Sequence, residues 1–349
     1  MKLFFTSIVL ILFTIHITIA QTNAKDYKFI NIGFYNLENL FDTIIDSDTN
    51  KILTEEFTPK GKYKWDSKKY WTKIENMARV ISQIGIKVNP DGLAVLGVSE
   101  IENENVLKDL VSNHYLKNRH YKIVHYESND RRGIDVALLY QEKYFIPETS
   151  KSIRLKIADK PDFRTRDQLV VSGKLDGEDF NFIVNHWPSR RGGEKRSLPY
   201  RIAAADLAKS IIDSLQNANP NAKTILMGDL NDDPTSPSVK EHLKTAENYK
   251  QMKKGMLYNP FESLYKKGKG TLAYRDVWDL FDQMFLTPTL LGNDLSNYKF
   301  IKPVVFHRPF MIQQSGRFEG YPKRTFSYGV FQAGYSDHFP VFVILAKKK

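Results

Sequence analysis

The sequence predicts an α/β fold, a sandwich of two β-sheets within one domain. Three observations predict it. Helix-like and strand-like segments alternate from about Phe29 to the end, and neither a Pro/Gly/Ser-rich linker nor an internal repeat divides them. A chain of 349 residues is long for one core but suits two packed sheets. Hydrophobic residues make up 42% and aromatics 13%, which is ordinary for a globular core and excludes wholesale disorder. The domain is expected to occupy residues 21–349, behind a leader.

Met1–Ala20 reads as that leader. Lys2 precedes the apolar run Leu3–Phe13, continued by Ile15–Ala20, and the run ends in the small-x-small pattern Thr18-Ile-Ala20 before Gln21. This is the pattern of a secretory signal peptide, so a secreted or periplasmic location is expected. No other segment reads as a membrane span. There are no cysteines, hence no disulfide, no thiolate metal site and no acylated cysteine, and the core alone must hold the exported protein. The net charge is +11, and removing Met1–Ala20 takes away one lysine and no acid, leaving +10. A basic surface favours polyanions, although solubility alone also accounts for it. The expected state is a monomer.

The elements follow in order. Lys28–Tyr35 is apolar and β-prone, and reads as a strand. Thr43–Lys64 is polar and turn-rich, a long loop. Asp66–Ile84 spaces Trp71, Ile74, Met77, Ala78, Ile81 and Ile84 as a helix face, capped by Asp66 or Ser67. Leu93–Ser99 is a buried strand. Asn103–Leu116 is a helix opening with acids, which suits its dipole. Tyr121–His125, Ile134–Tyr140, Leu169–Leu175 and Phe180–Asn185 are strands, the last two joined by the hairpin signal Asp176-Gly177. Pro199–Leu215 is a helix, Ala222–Met227 a strand and Ser236–Leu243 a short helix. Asp282–Leu286 and His338–Leu345 are strands. Phe306–Gly334, with four glycines, reads as an insertion.

Five polar turns sit at the ends of five of these strands: Asn36-Leu-Glu38-Asn39, Ser99-Glu100, Asn185-His186, Asp229-Leu-Asn231-Asp232-Asp233 and Asp337-His338. Strand ends on one edge of a sandwich can converge. Glu100, Asn36 and Asp337 form a hard oxygen set suited to Mg²⁺, with Ca²⁺ or Mn²⁺ as alternatives. His186 and His338 suit proton transfer at phosphorus. Asp229 and Asn231, one residue apart, can orient a water and hold a phosphoryl oxygen. Asp282 is an acid in an apolar strand and needs a partner, for which an imidazole N–H is suitable. Each residue has a plainer reading alone: Glu100 as an edge residue or cap, either histidine as structural, Asp232 and Asp233 as caps for the helix at Ser236. The loops bearing Arg132, Arg166, Arg190 and Arg191 are solvated by default and become phosphate contacts only beside a phosphate site.

In this order, Asn36 with Leu37 and Asn39, Ser99-Glu100, Arg132-Gly133, Asn185-His186, Gly228-Asp229-Leu-Asn231, Asp282 and Ser336-Asp337-His338 resemble the endonuclease/exonuclease/phosphatase superfamily, whose best-known member is deoxyribonuclease I. The resemblance spans roughly residues 28–345. It implies a four-layer sandwich, two mixed β-sheets face to face with helices outside, and a site at one end of the sheets. It implies Glu100 as the principal metal ligand with Asn36 and Asp337 nearby, His338 oriented by Asp282 as general base, and His186 as acid or phosphate stabiliser with Asn185 beside it. Deoxyribonuclease I-like members also support the first histidine with a second carboxylate, for which Asp135 is a candidate here that strand alternation could equally turn away. The function expected is an exported metal-dependent phosphodiesterase that cleaves DNA or RNA with little sequence preference. Two alternatives stay open: a sphingomyelinase- or inositol-phosphate-type hydrolase, with Phe306–Tyr328 as a lipid-facing loop, and a catalytically inactive nucleic-acid-binding module.

Overall fold

The structure, a computed structural model, describes residues 26–349, so the expected leader Met1–Ala20 lies outside the described residues. Its principal strands are β1 (Tyr27–Leu40), β2 (Leu93–Ile101), β3 (Tyr121–His125), β4 (Asp135–Gln141), β5 (Phe145–Ile153), β6 (Gln168–Leu175), β7 (Glu178–His186), β8 (Lys223–Asp229), β9 (Thr245–Ala246), β10 (Leu257–Tyr258), β11 (Asp282–Leu286), β12 (Lys299–Val305) and β13 (Val341–Lys348). Six form one sheet, in the order β12-β13-β1-β2-β4-β3, and seven form the other, in the order β5-β6-β7-β8-β11-β10-β9. Both sheets are mixed, because β1 runs parallel to β2 and β7 parallel to β8 while their other neighbours are antiparallel. The principal helices are α1 (Ser67–Gln83), α2 (Glu104–Ser112) and α3 (Glu194–Ala218).

Alternation along the strands explains the layers. In β1, Ile30, Ile32 and Phe34 face the seam between the sheets, where they join Val95, Phe182, Val184, Met227 and Met284. The opposite face of the first sheet packs Tyr35, Leu96 and Val98 against Ile74, Met77 and Ile81 of α1 and Val106 and Leu110 of α2. The outer face of the second sheet packs Ile183, Leu226 and Phe285 against Ala204, Ala205, Ala208 and Ile212 of α3. Three apolar seams separate four layers: helix, sheet, sheet, helix. Gly97 sets the closest approach of the sheets, since a Cβ there would lie 2.7 Å from Met227 Sδ and 3.1 Å from Val184 Cγ1.

Several expectations need correction. The strand expected at Lys28–Tyr35 runs on to Leu40, because the polar residues after Tyr35 keep pairing with β2 through a register shift between Asn36 and Leu40. Trp71 is 51% exposed; the buried face of α1 is instead Tyr70, Lys73, Ile74, Met77, Ala78, Val80 and Ile81. The helix expected at Pro199 begins at Glu194. Pro199 lies in its second turn and lacks the donor for Lys195 O, yet the helix accommodates it. The helix at Ser236 is one wide turn, Ser238–His242. β5 and β12 were not expected as strands; polar or charged residues dilute their alternation. Part of Phe306–Tyr328, the segment expected to face lipid under the alternative reading, is turned inward. Phe306 and Met311 are buried, and the Phe310 ring packs at a tilt against Tyr335, with centroids 5.1 Å apart. These three side chains fold onto the protein, while Tyr328 and, just beyond it, Val330 are exposed. Among the described residues, no helix is long and apolar enough to cross a membrane.

Candidate active site

The ladder register builds the floor of the site. His186 of β7 is paired with Asp229 of β8, and Asp229 with Asp282 of β11. Residues directly opposite on adjacent strands share a face, so three ionisable side chains stand in a row at the ends of three strands. Gly228 makes this possible, since a Cβ there would lie 2.3 Å from Asn185 O. In the first sheet, Glu100 lies within β2 at a β-bulge, with φ 60° and the ladder register shifting between Ser99 and Ile101. A bulge re-aims a side chain, and this one turns Glu100 toward the second sheet.

The side chains converge on one atom. Asp229 Oδ2 accepts from Asn36 Nδ2 at 3.0 Å, with His186 Nε2 at 3.5 Å and His338 Nε2 at 3.9 Å. Glu100 Oε1 lies 3.8 Å from His186 Nε2, and Asp337 Oδ1 lies 3.9 Å from His338 Nε2. His338 Nδ1 meets Asp282 Oδ2 at 2.7 Å. Its backbone is fixed in turn: His338 N donates to Ser336 Oγ at 3.1 Å, and Ser336 Oγ donates to Asn36 O at 2.7 Å. Two imidazoles therefore flank one buried carboxylate.

Their electrostatics differ. Burial, together with the charges of Arg166 and Arg132, holds His186 well below the ordinary imidazole value, so its ring is neutral. Burial also opposes a charged His338, but Asp282, Asp229 and Asp337 outweigh it and hold that ring well above the ordinary value. Burial pushes Asp229 up, against the pull of His338. The charge environment thus makes His338 the more basic ring and His186 the less basic one.

The other expected residues fall into two groups. Asn231 stays at the floor: its backbone N–H donates to Asp229 Oδ1 at 2.9 Å and its Nδ2 to Trp187 O at 3.0 Å. Arg132 lies beside Glu100, Nη1 to Oε1 3.7 Å, and its buried Nη2 has no partner. That free donor suits a phosphate oxygen.

Four expectations are corrected by contacts. Asn36 is not posed as a metal ligand, because its Oδ1 accepts from Glu38 N at 2.9 Å and its amide nitrogen faces Asp229. Asn185 does not enter the pocket: it is fully buried, and its Oδ1 accepts from Trp187 Nε1 at 3.0 Å. Asp135 does not support His186. It meets His125 Nε2 at 3.0 Å instead, and His186 Nδ1 has no partner. Arg166 is 6% exposed and faces inward. Its Nε donates to His186 O at 3.1 Å, its Nη2 to Trp187 O, and its Nη1 to Asp130 Oδ2 at 3.1 Å. It positions the end of β7 rather than substrate.

The basic loop after β7 is also re-read. Arg190 Nε donates to Asn231 O at 2.9 Å, Nη2 pairs with Asp233 at 3.1 Å and with Asp232 at 3.4 Å, and the guanidinium lies 4.5 Å over Phe281. It is neutralised by two acids. Asp232 and Asp233 anchor it rather than capping the next helix with their side chains; Asp232 also accepts from Ser238 Oγ, and Asp233 Oδ1 from Leu280 N at 2.8 Å. Arg191 is exposed and has no ion-pair partner among the described residues.

A pH test follows from the same acids. Burial and then Asp233 push Asp279 up to about 6. The folded value exceeds the ordinary carboxylate value, so stability from this group is fully present below about pH 4 and is lost as pH rises through about 6. Asp279→Asn is therefore expected to melt near wild type at pH 4 and above it at pH 8. A melting-temperature difference that stays constant across that range would show that Asp279 is not perturbed.

Sequence reasoning missed a second buried network next to the site. Lys73 Nζ, on the buried face of α1, donates to Thr325 Oγ1 at 2.6 Å and lies 3.6 Å from Glu38 Oε2. Arg324 bridges Glu38, at 3.7 Å, and Asp337, to which its Nη2 donates. Burial and then Asp337 push Glu38 up to about 7. Lys73 was detectable as a charge within the apolar stripe of α1; Arg324 carries no local signal.

Asp229, Asp282 and His338 offer ligand atoms within 4.8 Å of one another, as do His125, Glu127 and Asp135. In the first group the hydrogen bond to Asp282 already occupies His338 Nδ1. Glu100 fits a divalent cation better. Its Oε2 accepts from Asn39 N at 3.0 Å, while Oε1 has no hydrogen-bond partner among the described residues. A hard anionic donor left open beside an arginine with an unpartnered N–H suits such an ion.

A two-sheet sandwich ending in this cluster defines a hydrolase acting on phosphate esters. The Endonuclease/Exonuclease/phosphatase family model matches residues 31–347, and the chain belongs to that family. Among solved structures, an endonuclease/exonuclease/phosphatase family protein from Bacteroides thetaiotaomicron is similar at 19% identity and TM-score 0.55, covering 92% of this chain and 98% of that one. A mannosyl-6-phosphatase from the same organism is similar at 18% identity and TM-score 0.54, covering 90% and 99%. D. rerio TDP2 complexed with single strand DNA product is similar at 13% identity and TM-score 0.52, covering 91% and 98%. No curated protein matches the chain.

Proposed function

We propose that the protein is an exported phosphodiesterase that cleaves DNA or RNA with little sequence preference. The observation that carries this reading is the convergence of Asn36, His186 and His338 on Asp229 Oδ2. Such a cluster can activate a water and protonate a leaving oxygen within one turnover. A divalent cation, Mg²⁺ foremost, would be held by Glu100 with Asp337 nearby, and would polarise the phosphate and offset charge on the leaving oxygen. His338, the more basic ring and held by Asp282, stabilises negative charge on the phosphoryl oxygens and donates its proton to the leaving oxygen. Asp229 accepts the proton of the attacking water, with neutral His186 beside it at 3.5 Å. Arg132 Nη2 holds a phosphate oxygen.

Nucleic acid is favoured as substrate by the net charge of +11 and by the TDP2 likeness in fold. One panel tests it: plasmid DNA, RNA, sphingomyelin and inositol phosphates, each with Mg²⁺, Ca²⁺ or chelator. Metal-dependent cleavage of DNA or RNA is expected. Turnover of only sphingomyelin or inositol phosphates would replace the substrate, and chelator-resistant turnover would remove the metal.

Export rests on the Met1–Ala20 pattern. N-terminal sequencing of material recovered outside the cytoplasm is expected to begin near Gln21, with the protein monomeric. A start at Met1 in a membrane fraction would mean an anchor instead.

A further inference from the structure

Arg324 and Asp337 do more than border the catalytic floor. They also line a cleft of about 560 Å³ that the chemistry above leaves unused. Its other walls are the hairpin Leu272–Tyr274/Val277–Asp279 and the excursion 313–332. These walls carry Tyr274, Phe318, Tyr321 and Tyr328. The Phe318 and Tyr328 rings lie 5.6 Å apart with 31° between their planes. Tyr328 is 85% exposed and Tyr274 63% exposed, so both rings stand in water beside the reaction centre without being covered by this chain.

The polar groups of the cleft narrow its occupant. Asp276, at the hairpin tip, is taken by Arg317 through two contacts of 2.9 Å and by the Tyr321 hydroxyl at 2.6 Å. The one carboxylate lining the cleft is Asp337, which Arg324 holds. Arg275 makes no ion pair and no side-chain hydrogen bond among the described residues, and lies 5.2 Å over the Tyr274 ring. The walls are aromatic, the mouth carries a free cation, and no free acid is offered to a sugar hydroxyl or to a basic ligand. A flat ring joined to a phosphate matches this pattern, because a ring stacks on aromatics whatever its sequence and the arginine meets an anion.

We propose that this cleft is a stacking subsite for the nucleobase next to the scissile phosphate, with Tyr328 and Phe318 together forming one aromatic wall and Arg275 at its mouth. It deepens the phosphodiesterase reading and takes its occupant from that reading. The subsite makes the excursion a specificity element, and orders a base while Arg132 and the floor hold its phosphate.

Equilibrium binding of adenosine 5′-monophosphate and of ribose 5-phosphate to the mature protein, in chelator, tests it. The nucleotide is expected to bind about tenfold or more tighter, by the measured worth of base–aromatic stacking. Tyr328→Ala should bring the ratio toward one, and its melting temperature should stay at the wild-type value because the side chain is exposed. Phe318→Ala is the second variant and should act the same way. A wild-type ratio near one, a ratio that survives both substitutions, or tighter binding of mannose 6-phosphate than of the nucleotide overturns the subsite. If that happens in a protein that cleaves DNA, only the subsite fails. A Tyr328-dependent ratio in a protein that cleaves no diester supports the subsite and removes the phosphodiesterase reading instead.

Discussion

Replacing His338 with alanine is expected to lower turnover on DNA by about 10²–10⁴-fold, the usual worth of a positioned acid or base. The loss should appear in kcat rather than KM, because His338 Nε2 faces Asp229 and the reacting phosphate rather than remote parts of a substrate. Alanine also leaves Asp282, which is fully buried, without its imidazole, and that cost could blur the result. His338→Gln separates the two effects, since its amide can still donate to Asp282 but cannot move a proton at neutral pH. Both variants should lose turnover, with glutamine melting closer to wild type. His186→Ala and Glu100→Gln should each lose roughly a hundredfold or more, and Glu100→Gln should also need more metal. Near-normal turnover by folded His338→Gln would sink the assignment.

Arg166→Met should destabilise the protein by about 3–5 kcal/mol, the scale for removing one partner of a buried ion pair. Its side chain is 5% exposed and that of its partner Asp130 4%. Removal leaves Asp130 Oδ2 without its partner, with Oδ1 still held by Arg132 N at 2.8 Å, and takes the donors from the carbonyls of His186 and Trp187. Chemical denaturation reads the loss directly. Asp130→Asn in the same background should restore part of it, because the stranded charge is then gone. Turnover should fall as well, since the end of β7 aims His186. A raised KM at unchanged unfolding free energy would return Arg166 to the substrate-contact role read from sequence.

Arg166 and Arg190 show where sequence reasoning about the site stopped. Both lie in basic, turn-rich stretches, and beside a phosphate site such arginines read as substrate contacts. Their partners Asp130, Asp232 and Asp233 are remote in sequence or were assigned to a cap, so neither ion pair was legible locally. Asp135 failed for a related reason. Alternation along β4 allows either face, and only packing turns it to His125. Asn36 was legible as part of the site but not in its pose, because the group it faces, Asp229, lies 193 residues away. Glu100 was legible as a strand-end acid, and the bulge that turns it inward was not. Apolar periodicity located the strands of both sheets that carry the site, while the diluted edge strands β5 and β12 escaped it.

The sequence by itself determined what is local and periodic: the alternating strand and helix segments and the polar turns at five strand ends. It also determined that no thiolate or disulfide takes part, because the chain has no cysteine. Tertiary structure decided what depends on direction and distance. It placed His186, Asp229 and Asp282 in register across three strands, so that two imidazoles meet one carboxylate. It made His338 the more basic ring and His186 the less basic one, because three acids surround the one and two arginines face the other. Pairing, burial and charge environment arise between segments far apart in the chain, and a local pattern carries no record of them.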